Sequence, residues 1–255
     1  MKVSFRKLPG DPSQGILFFW MLSMDASPPN LVVDQFIPEL FFDFLFIRAG
    51  RVVCVDKTTG DEFSLPPQSL KTLFTRPLMF RFSTPLILCG ARFALDFAGS
   101  FLAEMKANSF LEQAWVRKDT KRLENFKSQM EGRFRSQQEG KFPHPLFSSG
   151  LDESSWMANF SSRHKRRIYQ SVFGLSRKDL QNIANLHVFL EQSCDFTADN
   201  PRIIQHVNPD VFYDQPHLNH SFKKMTGVSP VEYFQASSIL QDRLMAASYN
   251  EIPGS

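Results

Sequence analysis

The chain has 255 residues, of which 42% are apolar and 22% charged, and this profile predicts a folded protein of one large domain or two ordinary ones. It excludes a collagen-like, disordered or disulfide-stapled small scaffold. Lysine plus arginine number 29 against 26 acids, and a net charge of +3 is too small to name a nucleic-acid partner. Where the bases lie matters more than how many there are. Cys54, Cys89 and Cys194 are widely separated and form no CxxC pair, which points to a reducing compartment. The apolar run from Gly15 to Leu22 is far short of the ~20 residues of a spanning helix, and no leader-cleavage pattern follows it. The expected location is the cytoplasm, with no membrane partner.

Phenylalanine is the outlier at 27, with 14 in the first 100 residues. Phe41-Phe42-Asp43-Phe44-Leu45-Phe46-Ile47 is an apolar run holding one acid, bounded by Pro38 and by Ala49-Gly50. Arg51 to Val55 then leads into Lys57-Thr58-Thr59-Gly60-Asp61, a hairpin-turn composition. Met79 to Phe82 alternates, and Leu86-Ile87-Leu88 follows a proline. Short strands between proline and glycine predict a small N-terminal β-barrel or sandwich over 1–100. These phenylalanines read as core, with an apolar ligand pocket among them still open.

After Gly99 the spacing turns helical. Phe101, Leu102 and Met105, then Phe110, Leu111, Ala114 and Trp115, then Leu123, Phe126, Met130 and Phe134 recur at three and four. This predicts a helical connector over 101–150, which could form a dimer seam or pack on the β-region. Gly140-Lys141-Phe142-Pro143-His144-Pro145 is the linker candidate. From Leu151 helical spacing returns, as in Leu180, Ile183, Ala184, His187 and Leu190.

The last third holds a faint repeat. Tyr169 to Ser176 and Phe222 to Ser229 each have an aromatic residue, a glycine five residues later, an aliphatic residue and a serine. The physical reading is a helix with a buried ring, ended by a left-handed glycine, and a next helix opened by serine. Ser229 with Glu232 fits a capping box, and Ser176 with Asp179 resembles one. The exposed faces are unusual. Ser162-Arg163-His164-Lys165-Arg166-Arg167 has four permanent positive charges and no acid, so it repels itself unless a polyanion lies alongside. Gln215 to Lys224 offers amides and imidazoles, then two lysines, which are groups that read base edges and sit on phosphate.

The stretch Phe212-Tyr213-Asp214-Gln215-Pro216-His217-Leu218-Asn219-His220-Ser221-Phe222-Lys223-Lys224-Met225-Thr226-Gly227-Val228-Ser229-Pro230-Val231-Glu232-Tyr233 resembles the signature of AraC/XylS-type transcriptional regulators. Phe36 to Glu39 with Asp43 to Phe46 is similar to the β-rich sensory domain of some members. The resemblance implies an α+β chain: the β-barrel or sandwich, then an all-α region with two helix-turn-helix subdomains, at 151–192 and 193–248. A helix from Lys178 to Gln192 would join them. Their second helices would enter successive major grooves of double-stranded DNA, about one turn apart. Carried over by position, the DNA-facing residues are Ser162, Arg163, Arg166, Arg167 and Gln170 in the first unit. In the second they are Gln215, Asn219 and His220, with Lys223 and Lys224 on backbone. Tyr169, Phe222 and Leu218 would be core. The partners implied are a small-molecule or protein effector at the N-terminal domain, RNA polymerase and a second copy in a homodimer. Departures are Val211 where glycine is usual, Pro209 in the preceding helix, His220 where arginine is frequent, and Lys165 at an aliphatic position.

Other chemistry finds little support. His217 and His220 stand at metal-ligand spacing, but no cysteine or suitably placed acid accompanies them, so a polar helix face is the reading. The first 143 residues contain no histidine, which argues against a cupin-like metalloenzyme. No GxSxG elbow, P-loop or GxGxxG occurs. Glu39 and Asp43, four apart, could share one strand face and line a polar pocket mouth. No catalytic residue, metal or cofactor is expected. The alternative is a non-catalytic small-molecule or protein-binding module whose helical region does not read DNA.

Overall fold

The computed structural model describes residues 1–11, 15–25, 30–57, 59–95, 123–138, 147–149, 151–196 and 216–249. Seven strands make one antiparallel sheet: β1 (Lys2–Pro9), β2 (Ile16–Asp25), β3 (Leu31–Phe36), β4 (Phe42–Asp56), β5 (Glu62–Ser64), β6 (Gln68–Lys71) and β7 (Leu78–Phe93). The hydrogen-bonded order is β1-β2-β7-β4-β5, with β3 also on β7 and β6 also on β4. This path does not close on itself, which corrects the barrel or sandwich expectation to an open sheet.

Two long strands organise it. The first half of β4 pairs with the last part of β7, and its second half with the start of β7. Between them the register shifts at Ile47/Ala49 and at Ala49/Arg51. The expected strand boundary at Ala49-Gly50 is therefore an irregularity within one strand, because a bulge bends a ladder without ending it. Likewise Met79–Phe82 and Leu86–Leu88 belong to one strand, which continues through Pro85. The turn expected at Lys57–Asp61 is present, with Gly60 N donating to Asp56 O at 2.8 Å.

Both faces of the central strands β2, β4 and β7 are largely buried, which explains why residues 41–47 read as unbroken apolar sequence. Phe42, Phe44 and Phe46 point to one face with Phe19, Met21 and Phe93. Leu45, Val52, Phe80, Phe82, Leu88 and Trp20 point to the other. Trp20 lies directly opposite Gly90. A Cβ at Gly90 would fall 2.1 Å from the indole Cε2, so only glycine admits the ring. Burial pushes the thiols of Cys54 and Cys89 up to about 11 and about 12, so both stay protonated.

Helix α1 (Leu123–Gln138) lays Leu123, Phe126 and Met130 on the first face, Phe126 meeting Phe19 edge-on at 6.0 Å. A two-stranded hairpin, β8 (Phe147–Ser149) and β9 (Asp152–Glu153), follows, then a 3-10 turn at Ser155–Met157. This corrects the all-α expectation from Leu151. Only Ala158 to Phe160 separate the turn from the Ser161 cap, so no helix of ordinary length fits there. The remaining helices are α2 (Ser162–Phe173), α3 (Arg177–Ser193), α4 (Pro216–Thr226), α5 (Pro230–Gln235) and α6 (Gln241–Tyr249). The apolar stripe from Phe101 to Trp115, the linker Gly140–Pro145, Pro209, Val211 and Gln215 lie outside the described residues.

The repeat has its physical form twice. Gly174 ends α2 at φ 72°, and Gly227 follows α4 at φ 76°. Capping boxes open α3 (Ser176 with Asp179) and α5 (Ser229 with Glu232). Tyr169 and Phe222 are buried, as expected. Helices and sheet share cores. Phe173 of α2 packs on Phe42, ring centroids 6.4 Å apart. Leu240, Leu244 and Ala247, at the start of and along α6, join the second face of the sheet. A third cluster unites α3, α4, α5 and Met245 of α6 with Ile37. No described helix is long and apolar enough to cross a membrane.

Candidate nucleic-acid interface

On α2, Arg163, Arg166, Arg167 and Gln170 fall at i, i+3, i+4 and i+7, so they form one stripe, and all four are exposed. The opposite stripe, Lys165, Ile168, Tyr169, Val172 and Phe173, is buried or half-buried. Ser162 is exposed in the first turn, which holds no acid. Among the described residues, no carboxylate pairs with the three arginines. Arg163 and Arg167 stand at i,i+4, a like-charge spacing that costs about 0.2–0.5 kcal/mol in an isolated helix.

The fourth cation is treated differently. Lys165 Nζ lies 2.6 Å from Glu153 Oε2, and the Tyr169 hydroxyl donates to Glu153 Oε1 at 2.7 Å. Arg177 approaches the same carboxylate at 3.7 Å. Burial would raise the Glu153 pKa, but the bonds from Lys165 and Tyr169, with the charge of Arg177, bring it below the ordinary range. Burial and the Glu153 bond together push the Tyr169 hydroxyl well up. Lys165 can therefore sit half-buried on the inner side of α2, because β9 supplies it with a counter-ion. Glu153 fixes the inner side of α2 and leaves the outer arginines unpaired.

On α4, His220, Lys223 and Lys224 are exposed on the side away from Phe222 and Thr226. Asn219 lies on the same helix, in its second turn. The two lysines also sit in the last turn, where positive charge complements the helix dipole whatever else it does.

Sequence reasoning missed a buried ionic cluster on the second face of the sheet. The ladder sets Lys71 of β6 opposite Asp43 of β4, and Asp43 opposite Arg92 of β7. Glu39, expected on the same strand face as Asp43, instead lies in the loop before β4. Arg92 grips Asp43 bidentately, Nε to Oδ1 at 2.9 Å and Nη2 to Oδ2 at 2.8 Å. It also grips Glu39, Nη2 to Oε1 at 2.7 Å and Nη1 to Oε2 at 3.1 Å. Lys71 completes the set, 2.9 Å from Asp43 and also paired with Glu39. Trp20 Nε1 donates to Asp43 at 3.3 Å. Two acids meet two bases, so the cluster is neutral. Burial alone would raise Asp43, but Arg92 and then Lys71 outweigh it and hold the carboxyl well below its usual range. The same carboxylates push the Arg92 guanidinium up against the opposing effect of burial. Asp43 and Lys71 form the polar end of a small apolar cavity closed by Leu240 and Leu244.

His187 of α3 adds a titratable contact. Its Nε2 lies 2.7 Å from the Pro38 carbonyl, which can only accept, so Nε2 carries the proton. Nδ1 then accepts from the Tyr249 hydroxyl. Burial lowers the His187 pKa, Arg92 and Lys71 lower it further, and Pro38 and Glu39 only partly oppose this. A folded pKa below the unfolded value of about 6.5 means the unfolded chain takes up the proton first. Its contribution is complete above about pH 6.5 and is lost as pH falls toward the folded pKa. Urea midpoints should therefore drop between pH 8 and pH 5, and His187→Gln should flatten that slope. Parallel slopes for the two proteins would remove His187 from this role.

No family model matches the chain, and no curated protein matches it. It is similar to solved structures at low identity. One is ToxT from Vibrio cholerae in a P21 crystal form, with 10% identity, 92% of this chain and 97% of that chain covered, and TM-score 0.37. Another is ToxT from Vibrio cholerae O395 bound to (E)-4-(8-methylnaphthalen-1-yl)but-3-enoic acid, with 10% identity, coverage of 92% and 98%, and TM-score 0.38. A third is the cupin domain of an XRE family transcriptional regulator from Enterobacter cloacae, with 15% identity, coverage of 37% and 97%, and TM-score 0.26.

Proposed function

We propose that this chain is an AraC-type, sequence-specific regulator of transcription that binds double-stranded DNA through α2 and α4. One observation carries the reading: Arg163, Arg166, Arg167 and Gln170 form a single exposed stripe opposite a buried aromatic face. A helix that keeps three unpaired arginines on one side gains by meeting a polyanion, and guanidinium and amide groups are those that read base edges bidentately. The second helix–glycine–serine–helix unit, with Lys223 and Lys224 exposed, supports a two-unit arrangement. Gln170 is already a donor to Gly174 O at 3.0 Å, so its base contact requires that bond to open. A small-molecule effector would act at the β-region.

Retention on immobilised DNA across a salt series tests the proposal. Log affinity should fall linearly with log salt, at about −0.9 per phosphate neutralised. Selection from random duplexes should recover two elements about one turn apart. Weak retention with no salt dependence would sink the reading. It would favour the alternative of a small-molecule or protein-binding module.

A further inference from the structure

One end of three neighbouring strands carries the second DNA-facing helix. In the ladder Asp56 of β4 lies opposite Leu78 of β7, and Leu78 opposite Phe36 of β3. The next residues outward are therefore Lys57, Pro77 and Ile37. Ile37 joins the apolar cluster with Phe222 of α4 and with Tyr233 and Phe234 of α5. Gly227, in the turn between α4 and α5, rests against Pro77, and a Cβ there would fall 2.9 Å from the Pro77 Cγ. Gln35 of β3 donates through Nε2 to the carbonyl of Thr226, the last residue of α4. Helix α2 meets the opposite end of the two long strands, where Phe173 packs on Phe42 and Phe42 stands opposite Phe93.

The Gln35 amide has one orientation. Its Oε1 accepts from Lys57 Nζ at 2.9 Å, and an ammonium can only donate. The Thr226 carbonyl can only accept, so Nε2 must face it. That carbonyl is one of those a helix leaves unpaired at its C-terminal end, and β3 supplies the donor. Apolar packing around Ile37 and Phe222 holds α4 on the sheet, but it is non-directional, whereas a hydrogen bond has a preferred line. Direction is what base reading needs, because bidentate contacts demand both distance and angle. His220, Lys223 and Lys224, the exposed residues of α4, all lie within about two turns of the Thr226 carbonyl.

We propose that Gln35 is a positioning residue for DNA recognition: from the sheet it fixes the orientation of α4 relative to α2, and so sets the spacing between DNA elements that one chain accepts. The inference rests on the DNA-binding reading above. Gln35 touches no base and acts through Thr226 and the helix that carries His220, Lys223 and Lys224. The β-region thereby adds selectivity for spacing without adding a DNA contact. Two rigidly held units bind together at high effective concentration where the duplex matches their separation, and lose that gain where it does not.

Gln35→Glu in the full chain tests it, because the change keeps the side-chain length and the Lys57 partner but removes the donor to Thr226 O. Duplexes recovered by the selection above are rebuilt with one base pair added or removed between the two elements, and with the α2 element alone. One base pair moves an element by about 3.4 Å and about a tenth of a turn. Either change should lower wild-type affinity by about tenfold or more. In Gln35→Glu that penalty should shrink by about threefold or more, while duplexes with the α2 element alone bind as before. The double variant Gln35→Lys, Lys57→Glu again sets a donor beside Thr226 O, balanced by an acid, and should recover the wild-type penalty. An unchanged penalty in Gln35→Glu, or no recovery in the double variant, would overturn the proposal. So would an equal loss on one-element and two-element duplexes, which marks a general loss of stability. Hydrogen exchange without DNA checks the tie itself: amides of 222–227 should exchange faster in Gln35→Glu while β4 and β7 keep their protection, and unchanged exchange there removes the tie. Failure of the DNA-binding reading shows instead in wild-type retention, before any variant is compared.

Discussion

Arg92→Met is expected to destabilise the protein by about 3–5 kcal/mol, the range for removing one member of a buried ionic set. Arg92, Glu39 and Asp43 are all 0% exposed, so water cannot replace the lost guanidinium. Two carboxylates would then share Lys71, leaving one buried negative charge unbalanced. One acid should take up a proton to escape this, which raises its folded pKa above the unfolded value. The sign follows: such a group costs stability as pH rises, so the deficit should be larger at pH 7 than near pH 4.5. Adding Glu39→Gln should recover part of the loss, because Lys71 and Asp43 then form a neutral pair. The two changes share one network and are not additive. Urea unfolding followed through the buried Trp20 indole, which donates to Asp43, measures all three proteins. A deficit under about 1 kcal/mol, of the size of an ordinary hydrogen bond, would mean that the cluster is hydrated and not a sealed ionic core.

Arg166→Ala and Arg167→Ala each should weaken binding to the selected site by about 1–3 kcal/mol, the discrimination carried by one bidentate base contact. The loss should be concentrated on the selected sequence, with binding to unrelated duplexes changed far less. The fold should tolerate both changes, since each side chain is exposed and Arg167 repels Arg163 one turn away. Competition titrations with selected and scrambled duplexes, repeated over salt, separate the roles. If either variant lost affinity equally for every sequence, with the salt slope reduced by about one, that arginine would sit on phosphate and the base-reading assignment would fail.

The two aromatic-to-serine repeats were legible because everything that makes them spans eight residues. Serine caps, left-handed glycines and buried rings are local decisions, and the structure places each where its spacing indicated. The stripe of arginines was legible for the same reason, since a helical period follows from the chain alone. The strands were legible as apolar segments but not as strands of their true length. Gly50 and Pro85 looked like ends, and the ladder carried β4 and β7 across both because neighbouring strands held the backbone in register. The hairpin before α2 carries no strand signal in the sequence, because Asp152–Glu153 is too short to show an alternation, and only Ala158 to Phe160 lie between the 3-10 turn and the Ser161 cap.

By itself the sequence determined phenylalanine-rich strands and two capped helix pairs with cationic outer sides, all from neighbours within a turn or a strand. Only tertiary structure decided that Arg92 would find Glu39 and Asp43, 53 and 49 residues earlier, and Ser248, 156 residues later. It also decided that the last helix would pack on the sheet, and that Glu153 would take Lys165 and, among the described residues, leave Arg163, Arg166 and Arg167 without a counter-ion. Partner choice for a buried charge depends on which strands and helices come together in space. That is set by the fold as a whole and by no local period.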